Sequence, residues 1–221
     1  MPPVVKNLLI LNGLLFLATL SFQTSIGIDL RDMLGLHYFE AEKFKIYQIV
    51  TYMFMHGDFT HIFFNMFAVW MFGSAIENVW GSRKFLIYYL LTGFGAALIH
   101  YITIYIDIAP VISMMEQLVE DPSAQAAISL TNSHNWGSYL DQFYYKDMYD
   151  RTLEYMNGSL QVLKVDPENT QALRDTSNFF ASYLEHFMNL PNVVGASGSL
   201  FGILLAFGMM FPNVRLFMIF I

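Results

Sequence analysis

No cysteine occurs in the 221 residues, which excludes a disulfide framework, a thiol nucleophile and a thiolate metal site. Charge is also scarce. Asp, Glu, Lys and Arg make up 13% of the chain, about half the share of an ordinary soluble domain. Basic residues are the scarcer sign, 11 against 18 acids, and a formal charge of −7 excludes the basic patch of a nucleic-acid binder. What fills the space is apolar: 55% of residues are hydrophobic and 17% aromatic, far too many for a disordered segment. The remaining class is a membrane protein.

Four stretches carry no charge at all: Asn7 to Ile28, Phe59 to Ile76, Phe85 to Ile106 and His186 to Val214. A spanning helix needs about 20 mostly apolar residues. The pattern therefore predicts an all-α, polytopic helical bundle with helices over roughly 5–24, 59–79, 84–106 and 193–211. The core Leu8–Leu20 has the length of a signal-peptide core, but three further spans follow and no small-residue cleavage site is obvious. Leu216–Ile221, after Arg215, reads as the start of a fifth span.

The stretch between the third and fourth spans differs in kind. Asp107 to Leu190 holds twelve of the 18 acids and four of the 11 bases. Leu140, Phe143, Tyr144, Met148 and Tyr155 recur at helical spacing, as do Leu173, Thr176, Phe179, Phe180, Tyr183, Leu184 and Phe187. Between them Asp166-Pro167-Glu168 has the form of a helix start, with Asp166 as the cap. Three parts result: a membrane core over 1–106, a water-facing acidic helical insertion over 107–190, and a return to the membrane over 191–221.

Orientation follows from basic residues in short loops. Lys6, Arg83, Lys84 and Arg215 fall on one side if the N-terminus is cytoplasmic. The insertion and the acid-bearing first loop then lie outside, the loop at the membrane surface, although Arg31, Lys43 and Lys45 in it weaken the asymmetry.

Polar groups interrupt the apolar runs at two places. One is His56-Gly-Asp-Phe-Thr-His61-Ile-Phe-Phe-Asn65, in which His61 and Asn65 share a helix face. The other is Gly195-Ala-Ser197-Gly198. Small residues also serve helix packing, and Gly198 and Gly202 form a GxxxG pair, so a structural role is open to all of them. Both spans, however, run from outside to inside, which puts His61, Asn65 and Ser197 at one depth, roughly 10 Å in. A hydroxyl, an imidazole and a carboxamide at one level are the parts of an acyl-transfer site.

At these residues the chain resembles the rhomboid intramembrane serine proteases. The family's HxxxN stands here as His61 to Asn65 with His56 upstream, its GxSG as Gly195 to Gly198, and its Glu and Gly-Ser as Glu77 and Gly81-Ser82. The resemblance covers residues 1–106 and 191–221 and leaves out the insertion. It implies that Ser197 is the nucleophile, with an oxyanion hole made of His61, Asn65 and the Ser197 backbone N–H. His56 would support the site, and Phe201 stands where the family packs an aromatic ring on the catalytic His. Glu77 and Gly81 would be structural, bracing the cytoplasmic ends of the second and third spans. Gly202 would let the fourth span pack closely. No metal and no cofactor is expected. The implied partners are transmembrane protein substrates, cut near the outer face, and the lipid bilayer. The implied location is a bacterial plasma membrane; a partner for the insertion is not implied.

The family's general base is a His on a sixth span, so here it is expected beyond Ile221, and the 221-residue chain reads as a fragment without its base. His100 is expected to pack, and His37, His134 and His186 to lie in loops or at a water-facing edge. The alternative function is a non-catalytic rhomboid-like protein that binds membrane clients. Retention of Ser197 with its donors speaks for the protease. A transporter or channel would place charged or paired polar groups along a pore, and the spans carry almost none.

Overall fold

A computed structural model describes residues 1–140 and 145–214. Phe143, Tyr144, Arg215 and the start of a fifth span at Leu216–Ile221 lie outside the described residues. The chain divides into two compact units, one of residues 1–37, 43–100 and 191–221, the other of 38–42 and 101–190.

The first unit is built from apolar helices. Helix α1, Pro3–Ile26, is followed by a one-turn helix α2, Leu30–Leu34, a two-residue strand β1, Leu36–His37, and a short helix α3, Gln48–Thr51. Helix α4 runs over Phe59–Trp80. Helix α5, Ser82–Glu120, begins in this unit. Three of these, α1, α4 and α5, are long and apolar enough to cross a membrane. Ile10, Leu14 and Leu17 of α1, Phe63 and Phe64 of α4, and Leu91 and Leu98 of α5 are exposed. Leucine and phenylalanine rows on the outside of a helix have no place in water, and hydrocarbon is the solvent they fit. The protein is an all-α membrane protein.

A π-turn over Val69–Gly73 interrupts α4. There Gly73 stands so close to Val5 and Phe85 that an added Cβ would lie 3.2 Å from each side chain. The first and third helices thus close on the second at a point where it lacks a side chain. Below it, Glu77 is buried at 2% exposure, and its carboxylate accepts from Val4 N at 2.9 Å, Val5 N at 2.8 Å and Ser82 Oγ at 2.6 Å. It occupies the N-terminus of α1, where the first amide groups have no partner within the helix and the dipole favours an anion. One side chain therefore ties together the ends of three helices, one more than the sequence reading assigned to it. Glu77→Ala leaves those amides bare and is expected to cost about 1–3 kcal/mol, read as a lowered melting temperature in detergent; Glu77→Gln, which keeps one accepting oxygen, is expected to cost less.

The fourth apolar run differs from the expected helix over 193–211. Pro191–Val193 is extended and forms strand β2, antiparallel to β1 with Leu36 opposite Val193. Helix α10 starts only at Ser197 and ends at Met210. At 14 residues it is about 21 Å long, shorter than the hydrocarbon core. Non-helical backbone next to such a helix needs protein partners for its amides. The β1 ladder supplies them, and Gly195 N donates to Tyr52 O at 2.8 Å. This pairing also corrects the reading of His37 as a loop residue at a water-facing edge: it sits in β1 at 0% exposure, with Nε2 2.7 Å from Asp32 O.

The second unit is helical. Helix α5 does not stop near 106 but continues to Glu120 with Pro110 inside it. Proline deletes one helical bond, and burial of Ile112, Met115 and Leu118 beyond it holds the helix together. Helices α6, Ala124–Ser133, α7, Lys146–Asn157, α8, Ser159–Val165, and α9, Thr170–Met188, complete the unit. Thr176, Phe179, Phe180, Tyr183 and Phe187 form the buried stripe of α9. Leu140 is buried but lies outside α7, so the first set of helically spaced residues is not one helix. The cap before α9 is Asn169, whose side chain accepts from Ala172 N at 3.0 Å, and not Asp166, which ends α8. His134 Nε2 lies 2.7 Å from Tyr183 Oη, and burial holds the imidazole down at about 4, so it packs as a neutral ring.

Candidate active site

Helix α4 begins where Asp58 caps it: Asp58 Oδ1 accepts from His61 N at 2.8 Å. One turn later Asn65 is 6% exposed, and its Nδ2 has no hydrogen-bond partner among the described residues. A buried amide donor left unpaired is costly, and such groups concentrate where a ligand is to be held. His56, in the loop before α4, packs its ring edge-on against that of His61 with centroids 5.0 Å apart. Burial first, then the neighbouring His61, brings the His56 imidazole down to about 4.

The turn into α10 meets this group at one residue. Gly195 has φ +122°, and an ideal Cβ there would lie 2.7 Å from His61 Nε2, 2.8 Å from His61 Cε1 and 3.7 Å from Asn65 Nδ2. Glycine is required twice over, for its backbone angle and for the space the imidazole fills. Ser197 lies two residues on, within about 7 Å along the chain. It is half-buried and is the first residue of α10, so its own N–H and the next are among those a helix leaves unpartnered. Ser197 Oγ makes no hydrogen bond to the described residues. Ser199 does: at 1% exposure, its Oγ donates to Tyr89 O at 2.7 Å. Of the two serines, Ser199 is committed to packing, and Ser197 keeps its hydroxyl clear of the described residues.

Helix α10 rests on α5 through small residues. An added Cβ at Gly198 would fall 2.5 Å from Ala96 Cβ, and one at Gly202 2.5 Å from Thr92 Cβ; Tyr88 Oη donates to Gly202 O at 2.9 Å. Phe201 points away, at 71% exposure. Gly81 ends α4 with φ +80°. His100 keeps Nε2 buried without a partner among the described residues.

Sequence reading missed four contributors. Tyr52 holds Gly195 through its carbonyl and Gly93 O through its hydroxyl at 2.9 Å. Ser199 anchors α10. Gln48, 1% exposed, accepts from Lys45 N and donates to Met33 O and Lys43 O, tying the first loop to itself. Asp58 caps α4, and its place three residues before His61 was the one signal legible beforehand. Among the described residues no group of three or more His, Asp or Glu could hold a metal ion.

Residues 43–107 match the Rhomboid domain family. Among curated proteins, the chain is similar to the chloroplastic rhomboid-like protein 11 of Arabidopsis thaliana, at 30% identity over 90 residues, 36% of this chain and 31% of that protein. It is similar to the rhomboid protease GluP of Bacillus subtilis, at 30% over 56 residues, 25% of this chain and 11% of that one. The putative rhomboid protease YdcA of the same organism is 27% identical over 101 residues, 46% of this chain and 50% of its own. The chain thus spans from about a tenth to half of the length of these relatives. No solved structure matches it. Residues 43–107 are thus similar to the Rhomboid domain family, and the relatives that match the chain bear rhomboid names.

Proposed function

We propose that this rhomboid-like chain carries the nucleophile and the oxyanion donors of an intramembrane serine endopeptidase. The observation that supports it is the seating of Gly195 against His61 Nε2 and Asn65 Nδ2, two residues before a serine at a helix start whose hydroxyl makes no hydrogen bond to the described residues. In this reading Ser197 Oγ attacks the scissile carbonyl of a transmembrane protein and gives its proton to a general base. The base in this reading is the sixth-span histidine that the rhomboid resemblance implies. Negative charge on the carbonyl oxygen is met by the Ser197 N–H, Asn65 Nδ2 and His61. The carbon–nitrogen bond breaks, the amine leaves with the proton, and water releases the acyl-enzyme. Gly195 offers no side chain to obstruct the incoming backbone. A substrate segment must give up its own helical hydrogen bonds to enter, so helix-weakening residues near the cut favour cleavage. By the charge asymmetry of the loops, the site and the acidic insertion face the outer side of a bacterial plasma membrane.

The test of the donor roles is graded. In the full-length protein, Asn65→Ala is expected to reduce turnover of a membrane substrate by about 10²–10³, and His61→Ala by a similar factor. If His61→Ala instead loses as much as Ser197→Ala, His61 is the base and not a donor.

A further inference from the structure

We infer that Arg31, in the first loop, is a positioning residue that locks the ring of His61 as an Nε2–H donor toward Gly195. This inference rests on the proteolytic reading and adds a residue outside both sequence motifs.

The chain of contacts starts at Asp29. Its carboxylate takes a fork from Arg31, with Nη2 to Oδ2 at 2.7 Å and Nε to Oδ1 at 2.9 Å, and also accepts from Arg31 N at 2.8 Å. The pair is mostly covered, with side chains 22% and 30% exposed. Held this way, Arg31 extends Nη1 to Gly57 O at 2.8 Å. That bond crosses from the first loop to the turn that carries His56, Gly57 and the Asp58 cap. Gly57 N in turn points at His61 Nδ1, 3.4 Å away.

The direction of that last contact decides the chemistry. A backbone amide only donates, so Nδ1 must offer its lone pair, and the ring proton of a neutral imidazole then resides on Nε2. Nε2 is the atom that faces Gly195, beside Asn65 Nδ2. Two N–H groups thereby converge on the turn before Ser197. A histidine acting as base would need the opposite arrangement, a lone pair on Nε2. The clamp therefore selects the donor role that the resemblance assigns to His61, through contacts the family motifs do not contain. Arg31 suits the task because its planar guanidinium grips Asp29 with one edge while a further N–H reaches the carbonyl; an ammonium has no such fork.

The experiment combines a tautomer measurement with kinetics on the full-length protein in detergent micelles. Side-chain nitrogen NMR with histidine labelling, assigned by His61→Asn, is expected to show His61 in the Nε2–H form. Arg31→Ala is expected to lower kcat for a transmembrane substrate about tenfold, a part of what losing one donor costs, with KM within twofold. Arg31→Lys is expected to fall between it and the parent. Glu77→Ala, which weakens the fold elsewhere, serves as comparator and is expected to lower the melting temperature while kcat at a permissive temperature stays unchanged. An Nδ1–H tautomer in the parent protein overturns the inference, and so does an Arg31→Ala enzyme with unaltered kcat. If cleavage proves independent of Ser197, the proteolytic reading fails, while the tautomer measurement still reports on the clamp.

Discussion

Ser197→Ala is expected to abolish cleavage of a transmembrane substrate by the full-length protein, to the background of the uncatalysed membrane, while leaving the melting temperature nearly unchanged. The two halves have separate grounds. Activity is expected to be lost because the neighbouring hydroxyl cannot replace the proposed nucleophile: Ser199, the nearest in sequence, already donates to Tyr89 O and is buried. Stability is kept because Ser197 Oγ makes no hydrogen bond to the described residues and is only half-buried, so the substitution removes one oxygen and strands no partner. Quantitative cleavage assays in proteoliposomes with parallel melting curves measure both. A large fall in melting temperature would mean that Ser197 is a packing residue like Ser199.

Gly195→Ala is the second large effect, and it differs in kind. The added methyl would lie 2.7 Å from His61 Nε2, so the ring must move, and φ +122° is a conformation that alanine resists. Displacing the imidazole also disturbs its neighbour Asn65, whose Nδ2 lies 3.7 Å from the same point. Both proposed donors are misplaced at once, so turnover is expected to fall by more than 10³, beyond the loss of either donor alone. The strain adds a stability cost of about 1–3 kcal/mol. Gly81→Ala is a useful contrast: φ is again positive, at +80°, but nothing lies within 4 Å of an added Cβ. It is expected to cost stability without a comparable loss of turnover.

The spans were legible because hydrocarbon tolerates few charges, and the charge-free runs mark them directly. The pairing of His61 with Asn65 was legible because four residues are one helical turn. The start of α10 was not. Apolarity alone cannot tell the extended Pro191–Val193, paired with Leu36–His37, from one more turn of helix. The same limit hid Pro110, whose missing bond is outweighed by the burial around it, and moved the cap of α9 from Asp166 to Asn169, since both residues can cap and only the backbone angles choose between them. Arg31 looked like one cation that weakened the loop asymmetry. Its partner Gly57 lies 26 positions away, and no local spacing rule connects them.

The central claim is that the turn holding Gly195 and the start of α4 together make Ser197 a nucleophile. Its most direct measurement is covalent labelling of the full-length protein in membranes by a serine-reactive fluorophosphonate, with the modified residue identified by mass spectrometry. The expected result is an adduct on Ser197, sharply reduced in Gly195→Ala and absent in Ser197→Ala. An adduct on another serine, or none on a protein that still cleaves its substrate, would contradict it.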